Sequence, residues 1–407
     1  MSTWSVVGTQ IQKDGQPVFL GGVCYAPTPA GAATFTPGVG DWFAPPWNGI
    51  WDRDVALMKA MGINNLRTYF FWAWTPPDDM RTWQQVTSQP PTFDHTAFLD
   101  AAAANGIDVT IGIALDGGNV FDNGDPSLGQ DYLDFYTATA EKLAELYGDH
   151  PAVMGFCLGN EQNNPPRIVR ASFWDGLAAM AQAVRAQAPD KLVMFAMQND
   201  NPNMFTATLS GTSTTVPQRF AQIFDVWGIN IYAGMADTLN NYATYVANGS
   251  DTQRPLIVSE WGVPGGVNVP PGAAGPPNGN ATARELTPDE FTTAINDNMR
   301  PDANAMQAQR SFVAGAQFFE WSDEWWKNGS TPVYEQNASA SPDWPEEWWG
   351  LYGIAPVGRT AQQGPWNNAA NQPFPADQLT ARPTVAALSA IYGELANVDA
   401  ARAKPSS

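Results

Sequence analysis

Two glutamates stand at the ends of apolar segments that read as buried strands. Glu161 closes "AVMGFCLGNE", and Glu260 follows "RPLIVS". Breaking a glycosidic bond takes an acid that protonates the leaving oxygen and, in the retaining mechanism, a second carboxylate that attacks the anomeric carbon. Two buried glutamates can fill these roles, because the proximity of like charges keeps one carboxyl group protonated. The alternative is a pair of structural carboxylates, each neutralised by an arginine.

Polar residues in similar segments can keep the second carboxylate ionised. Asn160 directly precedes Glu161, Arg67 lies in "NLRTYF", and Tyr232 ends "GINIY". A cation and a hydrogen-bond donor both favour the charged form of a nearby carboxylate. Arg67 is therefore the candidate cation and Tyr232 the candidate donor, although an arginine in this position can also pair with a structural acid.

Few residues remain for other chemistries. The chain has 2 histidines and 2 cysteines, and both Cys24 and Cys157 lie inside apolar runs. A serine triad, a histidine-based metal site, a cysteine-built zinc site and a disulfide framework are all poorly supported. A Schiff-base aldolase would need a lysine at a strand end, and Lys327 lies well past its strand. We expect no metal and no cofactor.

The charge of the chain limits its partners. It carries 40 acidic against 20 basic residues, for a net charge of -20, and has no basic cluster. Nucleic acid and membranes are not expected partners, because binding them needs a basic footprint or a long apolar span. The start "MSTWSVVGTQ" lacks a secretion signal, so the chain reads as cytoplasmic, or as secreted or periplasmic if a signal was removed. The sequence does not indicate the oligomeric state.

A short apolar run followed by a loop and an amphipathic helical segment occurs eight times, from "PVFLGGVCY" to "VAGAQFFEW". This order predicts an α/β fold, a (β/α)8 TIM barrel. A doubly wound sheet would offer a G-x-G-x-x-G turn after its first strand, where this chain has "CYAPTPAG". The carboxyl ends of barrel strands open on one face, so Glu161 and Glu260 are predicted to converge there.

Extra length follows the first, seventh and eighth predicted strands, at 26–50, 262–286 and 322–381. These loops are expected to wall a cleft, which makes 1–407 a single domain. Tryptophans at or after strand ends suit a carbohydrate cleft, although packing is the better explanation for any single one. They are Trp42, Trp47, Trp72, Trp74, Trp261, Trp321, Trp325, Trp326, Trp348 and Trp349.

Strict alternation along the two glutamate strands predicts which neighbours share the barrel interior. With Glu161 inward, Val153 and Cys157 are predicted to face inward as well. With Glu260 inward, Leu256 and Val258 should follow. In the eighth strand, Trp321 is predicted to point inward and its neighbour Glu320 away.

The ordered segments resemble clan A of the retaining glycoside hydrolases, which share a (β/α)8 barrel. The matching segments are "KDGQPVFLGGVCY", "LRTY", "GNE", "INIY", "IVSEWG" and "FFEW". The resemblance implies that Glu161 is the general acid/base and Glu260 the nucleophile. It further implies that Asn160 binds the sugar 2-hydroxyl, that Arg67 and Tyr232 set the charge and position of the nucleophile, and that Trp321 forms an aromatic floor under the sugar.

Within the clan, the chain is similar both to β-1,3-glucanosyltransferases and to the catalytic barrels of β-galactosidase- and β-glucuronidase-type enzymes. It departs from the first group in lacking cysteine pairs and from the second in lacking β-sandwich domains. The expected function is a retaining hydrolase or transglycosylase acting on a β-linked glucan or oligosaccharide. The alternative is a carbohydrate-binding barrel without activity. Tyr25, Tyr69, Trp261 and Glu320 are further candidate substrate contacts.

Overall fold

The computed structural model describes residues 2–29, 42–71, 94–115, 126–163, 167–269, 281–324, 338–339, 345–355, 357 and 376–402. The candidate residues Trp72, Trp74, Trp325 and Trp326 lie outside these ranges. No helix within them combines the length and the apolar character needed to cross a membrane. The assignment of 1–407 to one domain stays a prediction.

A small antiparallel sheet opens the chain. It is formed by β1 (Trp4–Val7), β2 (Gln10–Lys13) and β3 (Gln16–Pro17). Trp4 and Ile11 pack against apolar side chains of the barrel interior. Lys13 Nζ lies 2.7 and 2.8 Å from the two carboxylate oxygens of Asp108, at the amino end of a barrel strand. This sheet therefore covers the amino end of the barrel, and the carboxyl end is the open mouth.

Eight parallel strands form a closed barrel, as predicted for the (β/α)8 fold. They are β4 (Leu20–Cys24), β5 (Asn65–Arg67), β6 (Asp108–Ile113), β7 (Val153–Asn160), β8 (Leu192–Gln198), β9 (Val226–Asn230), β10 (Leu256–Trp261) and β13 (Val313–Phe318). The order around the barrel follows the chain, and β13 closes it against β4. Nearly every strand residue is buried, as expected of parallel strands covered by helices.

The loops at the mouth form two further sheets. Strands β11 (Gly266–Val269), β12 (Ala281–Glu285) and β14 (Ala338–Ser339) pair antiparallel, so the loop after β10 is joined to the loop after β13. Strands β15 (Tyr352–Ala355) and β16 (Gln378–Ala381) pair in the same way. The long loops were predicted from the sequence, but these sheets were not.

The described helices surround the barrel. They are α1 (Asn48–Ala60), α2 (Thr96–Ala104), α3 (Pro126–Tyr147), α4 (Ala171–Gln187), α5 (Asn203–Thr206), α6 (Val216–Ile223), α7 (Met235–Tyr242), α8 (Pro288–Ala294), α9 (Arg300–Ala308) and α10 (Pro383–Arg402). Short 3-10 turns span Pro45–Trp47, Arg167–Val169 and Glu346–Trp348, and π-helical turns span Ala243–Ala247 and Ile295–Met299. In α4, Phe173, Leu177, Met180 and Val184 recur at helical spacing and are buried. Helix α6 begins with a capping box between Thr215 and Gln218.

Two clusters of buried side chains separate the barrel interior from the layer under the helices. Cys157 belongs to the interior cluster as predicted, whereas Val153 packs in the outer one. The prediction for Leu256 and Val258 is also wrong: both pack outward, and Ile257 points inward. Register shifts explain the errors, because β6 and β7 shift register beside Val153, and β9 and β10 shift between Val258 and Glu260. Strict alternation fails wherever such an irregularity adds a residue.

The half-buried carboxyl group of Asp302 in α9 gives a stability prediction. Burial raises the pKa of Asp302 to about 6, against about 3.9 in an unfolded chain. Between these values the folded state binds more protons, so the contribution of Asp302 becomes less favourable as the pH rises, and the loss is complete above about pH 6. We expect Asp302→Asn to stabilise the protein at about pH 7.5 by about 1 kcal/mol, a value discounted for partial exposure.

Thermal unfolding at about pH 7.5 and about pH 3.5 tests this expectation, because most of the gain should disappear at the lower value, where the wild-type carboxyl group is largely protonated in both states. The exposed Asp297 provides the matched control, Asp297→Asn. A gain of the same size in both variants would point to the overall charge of the chain rather than to the burial of Asp302.

Candidate active site

The polar residues at the mouth come from strands that are distant in the chain. Arg67 ends β5, Asn160 ends β7 and Asn230 ends β9, while Glu260 lies in β10. Glu161 follows β7 directly. Because these strands belong to one closed barrel, their carboxyl ends bring the five side chains to the same opening.

Both carboxylate oxygens of Glu260 accept hydrogen bonds. The Tyr69 hydroxyl donates to Oε1 at 2.7 Å, and the Tyr232 hydroxyl donates to Oε2 at 2.6 Å. Arg67 Nη1 lies 3.4 Å from Oε1. Glu260 is only 4% exposed, so these three groups replace water around its charge. The carboxylate of Glu260 is thereby held in one position.

Arg67 links Glu260 to the Glu161 side of the mouth. Its Nη1 also donates to the Ser259 carbonyl at 2.9 Å, and its Nη2 donates to Asn160 Oδ1 at 2.6 Å. Burial by itself lowers the pKa of Arg67, but the electrostatic contributions of neighbours that include Glu260 outweigh it, and the pKa lies above the ordinary value. The guanidinium therefore stays charged.

The two phenols that hold Glu260 remain protonated donors. Burial, followed by the charge of Glu260, raises the pKa of Tyr232 well above its ordinary value. Burial also raises the pKa of Tyr69, with further contributions from Cys24 and Glu260. A protonated phenol can only donate to a carboxylate, so both contacts favour the ionised form of Glu260.

Asn230 joins the second glutamate to the same network. Its Nδ2 donates to Glu161 Oε1 at 2.8 Å and to Asn160 Oδ1 at 3.1 Å. The Ser259 hydroxyl donates to Asn230 Oδ1 at 2.7 Å and thereby orients the amide. Neither Asn230, which lies in the segment "GINIY", nor Ser259 was predicted from the sequence as a site residue. The sequence does contain a signal for Asn230. Asn230 and Tyr232 are two positions apart at one strand end, so their side chains lie on the same face of the strand.

The chain turns sharply as it leaves β7. Gly159 has a φ of 99° and Glu161 a φ of 63°, both in the left-handed region. A Cβ on Gly159 would lie 2.7 Å from Gln162 Oε1, and that oxygen accepts a hydrogen bond from the Asn160 amide at 2.6 Å. Non-glycine residues with positive φ are uncommon and tend to occur at functional sites. The turn leaves Glu161 half-buried at the rim, whereas Glu260 is enclosed.

Three aromatic residues that were predicted to contact substrate lie instead in the layer under the helices. Tyr25 stacks on Phe98 with ring centroids 6.2 Å apart, and Trp261 packs against Tyr392. Trp321 is 1% exposed and packs on Tyr352. Strand alternation explains the positions of Tyr25 and Trp261, because each follows a residue that points into the barrel. Cys24 points inward, where its Sγ contacts the Ser259 carbonyl, so Tyr25 points outward. Glu260 also points inward, so Trp261 points outward.

The predicted side-chain directions of Glu320 and Trp321 are also wrong. Glu320 is 1% exposed and near enough to Cys24 that its charge raises the pKa of that thiol, after the larger contributions of burial and Glu260. Glu320 thus lies on the mouth side, whereas Trp321 lies on the helix side. The Glu320 backbone amide donates to the Trp349 carbonyl at 3.0 Å.

Different aromatic rings border Glu260. Phe319, to which sequence reasoning assigned no role, lies 6.1 Å from Tyr232 and 6.4 Å from Tyr69 between ring centroids. Trp349 lies 4.9 Å from the Tyr232 ring. Tyr232 itself is 38% exposed, so it presents part of its ring at the opening. All six described tryptophans among the earlier candidates are buried. Packing explains Trp42, Trp47, Trp261, Trp321 and Trp348, whereas Trp349 also borders the mouth through its contact with Tyr232.

Within the described ranges, no group of three or more histidine, cysteine, aspartate and glutamate side chains is arranged to hold a metal ion. Cys24 and Cys157 are both free and buried. Burial raises the pKa of both thiols, so neither is a nucleophile at neutral pH. The chemistry that this geometry can support is that of the two glutamates.

We expect the Asn230→Ala variant to shift the pH dependence of kcat/KM. The Asn230 amide favours an ionised Glu161, and an acid must be protonated to act. Loss of this donor should therefore move the basic limb of the profile to higher pH. Asn199 supplies a matched control, because it bonds Thr238 at 3.1 Å at the end of the neighbouring strand. Profiles of Asn230→Ala and Asn199→Ala that coincide would exclude this role.

A closed (β/α)8 barrel with carboxylates at the ends of its fourth and seventh strands defines the protein as a clan A glycoside hydrolase. The family described as "Cellulase (glycosyl hydrolase family 5)" matches residues 12–271. The chain belongs to this family, and the resemblance to clan A is confirmed. Among curated protein sequences, no significant match was found.

Three solved structures with similar folds are a β-galacturonidase and two β-glucuronidases. A GH2 β-galacturonidase from Eisenbergiella tayi bound to galacturonate has a TM-score of 0.56 and 14% identity, covering 97% of this chain and 54% of its own. The Ruminococcus gnavus β-glucuronidase has a TM-score of 0.58 and 13% identity, covering 97% and 53%. The Lactobacillus rhamnosus β-glucuronidase has a TM-score of 0.56 and 15% identity, covering 87% and 50%. The chain spans about half the length of these structures, and the likeness supports the fold alone.

Proposed function

We propose that the protein is a retaining glycosidase or transglycosylase that acts on a β-linked glucan or oligosaccharide. The observation that carries the proposal is the difference between the two acids. Glu260 is enclosed and accepts hydrogen bonds from two phenols, with Arg67 beside it. Glu161 stands half-buried at the rim and is bonded by a neutral amide. This asymmetry distinguishes a carboxylate that is fixed in place for nucleophilic attack from a carboxyl group at the rim that can exchange protons.

The first chemical step forms a covalent glycosyl-enzyme. A carboxylate oxygen of Glu260 attacks the anomeric carbon while the bond to the leaving oxygen breaks, and Glu161 transfers its proton to that oxygen. Arg67, Tyr69 and Tyr232 hold the attacking carboxylate in position. Asn160 accepts two hydrogen bonds on Oδ1, which directs its Nδ2 to a ligand such as the sugar 2-hydroxyl.

The second step releases the enzyme. Glu161, now ionised, takes a proton from water or from a sugar hydroxyl, whose oxygen attacks the anomeric carbon and displaces Glu260. Water gives hydrolysis, and a sugar gives transglycosylation. The Asn230 amide stabilises the ionised Glu161 that this step requires.

The substrate class is supported by the family description, cellulase, and by the aromatic side of the mouth formed by Tyr69, Tyr232, Phe319 and Trp349. Aromatic faces pack on the apolar faces of sugar rings. The similar uronidases point to a second candidate, a uronic-acid glycoside. A uronic acid carries a carboxylate, which favours a cation in the site. The guanidinium of Arg67 is already bonded to Glu260, the Ser259 carbonyl and Asn160, so we favour a neutral sugar.

A panel of cellulose-like, laminarin-like, α-linked and uronic-acid oligosaccharides tests the proposal. Time-resolved NMR should show a β-product first, and chain lengths above that of the substrate would reveal transfer. An initial α-product from a β-substrate would contradict retention. Absence of turnover on the whole panel, with binding retained, would favour the binding barrel without activity.

A further inference from the structure

A buried arginine outside the catalytic group joins the loops that wall the mouth. Arg382 immediately precedes α10 and is 4% exposed. Its Nη1 and Nη2 donate to the two carboxylate oxygens of Asp323 at 2.6 and 2.7 Å, and Nη1 also donates to the Gly350 carbonyl at 2.6 Å. Its Nε donates to Glu285 at 2.9 Å. One side chain thus ties the loop after β10 to two points of the loop after β13.

The packing around Arg382 leaves no room for side chains on neighbouring residues. A Cβ on Gly265 would lie 2.6 Å from Arg382 Nε, and one on Gly266 would lie 2.6 Å from Trp348 Cγ. A Cβ on Gly350 would collide with the Asp323 amide. Such close approach of backbone to side chains uses glycine for its lack of a Cβ. The loops therefore meet around Arg382 as a packed junction.

The junction continues into the catalytic group through Trp349. The Gly350 carbonyl and amide are bound by Arg382 and Asp323, which fixes the chain directly after Trp349. The Trp349 ring packs on Tyr232, whose hydroxyl donates to Glu260 at 2.6 Å. A continuous series of contacts therefore runs from Arg382 through Trp349 and Tyr232 to the proposed nucleophile.

We propose that Arg382 is a positioning residue of the glycosidase: by clamping the two rim loops it holds Trp349 against Tyr232, and so keeps the Tyr232 hydroxyl on Glu260. This inference rests on the proposed function. Arginine is required because its planar fork reaches both oxygens of Asp323 while Nε bonds Glu285, whereas lysine offers a single point charge. Small displacements at a catalytic group have large effects on rate.

The conservative variant Arg382→Lys tests the inference. We expect kcat/KM to fall by about tenfold or more, with most of the loss in kcat, because a misplaced Tyr232 impairs the attack more than it impairs binding. The acidic limb of the kcat/KM profile should also move to higher pH, because Glu260 loses part of a donor to its ionised form. A purely structural arginine would change the unfolding temperature and leave this limb in place.

A matched control is an arginine–carboxylate pair between α9 and α10. Arg300 Nη1 is 2.9 Å from both carboxylate oxygens of Glu394 and joins α9 to α10 at the exposed surface. Arg300→Lys alters an arginine–carboxylate pair of α10 away from the mouth and should leave both pH limbs and kcat unchanged. Equal kinetic profiles for Arg382→Lys and Arg300→Lys, with an active wild type, would overturn the inference while leaving the proposed function standing.

A double-mutant cycle with Trp349→Leu tests the route. If Arg382 acts through Trp349, Arg382→Lys should cost little further kcat in the Trp349→Leu background. Fully additive losses would contradict the route from Arg382 through Trp349.

A second variant covers the case in which Arg382→Lys fails to fold. Glu285→Gln weakens only the more exposed partner of Arg382 and should move the acidic limb of the pH profile in the same direction by a smaller amount. An unmoved limb in that variant would likewise overturn the inference, and a wild type inactive on the whole panel would overturn the proposed function and this inference with it.

Discussion

Replacing Glu260 with alanine is expected to lower kcat by on the order of 10⁴-fold or more on any glycoside that the wild type cleaves, because no glycosyl-enzyme can form without the carboxylate. The loss should be largely independent of the leaving group, since the attacking atom itself is missing. Steady-state kinetics on an aryl glycoside and on an oligosaccharide measure it. Azide should restore turnover of the aryl glycoside and give the glycosyl azide of inverted configuration, because a small anion then occupies the vacated position.

The matched control for this variant is Glu320→Ala, since Glu320 is another buried glutamate of the mouth region at 1% exposure. Tyr69, Tyr232 and Arg67 bind Glu260, and the Glu320 backbone amide donates to the Trp349 carbonyl, so we expect the loss of the Glu320 carboxylate to cost far less kcat than the loss of Glu260. Wild-type turnover by Glu260→Ala would refute the proposed mechanism. A loss at Glu320 equal to that at Glu260 would instead assign a catalytic role to Glu320.

The Glu161→Ala variant is expected to show a loss that depends on the leaving group. General acid catalysis is worth roughly 10²–10⁴-fold, so cleavage of an oligosaccharide should slow by about that factor. The first step on an activated aryl glycoside should slow much less, because a good leaving group departs without a proton. The basic limb of the pH profile should disappear with the group that produces it.

Azide again provides the distinguishing measurement for Glu161→Ala. The first step still leads to the Glu260 adduct, so azide should release a product of retained configuration, opposite to that from Glu260→Ala. The same azide product from both variants would exclude the assigned pair of roles. Gln162→Ala serves as a control at the adjacent position, since the Gln162 side chain accepts from the Asn160 backbone amide and donates to the Leu115 carbonyl.

The fold was predictable because its signal is repeated. Most barrel strands are near-continuous apolar runs, and each predicted strand is followed by a loop and a helical segment, so an error in one unit does not change the topology. Glu161 and Glu260 were located for the same reason, since strand ends are visible in the sequence. The sheet of β11, β12 and β14 was not predictable, because its pairing joins segments from different loops whose short strands carry little periodicity.

Side-chain direction was the weakest part of the prediction. Alternation correctly placed Cys157 inward, but it failed for Val153, Leu256 and Val258, where the ladders shift register. A register shift depends on the neighbouring strand, and a single strand's sequence does not contain it. Local reasoning likewise placed Trp321 inward, whereas the contacts of Trp321 with Tyr352 are made across a long loop.

The register shifts before the two glutamates have a consequence for redesign. In β7 the ladder with β8 shifts between Cys157 and Asn160, and in β10 the ladder with β9 shifts between Val258 and Glu260. The inward-facing pattern in the body of each strand therefore does not set the direction of the acid at its end. Interior volume can be rebuilt at positions such as Ile257 without re-aiming the acids, whereas removal of one residue at either irregularity would rotate an acid away from the opening while the body of the strand stayed in place.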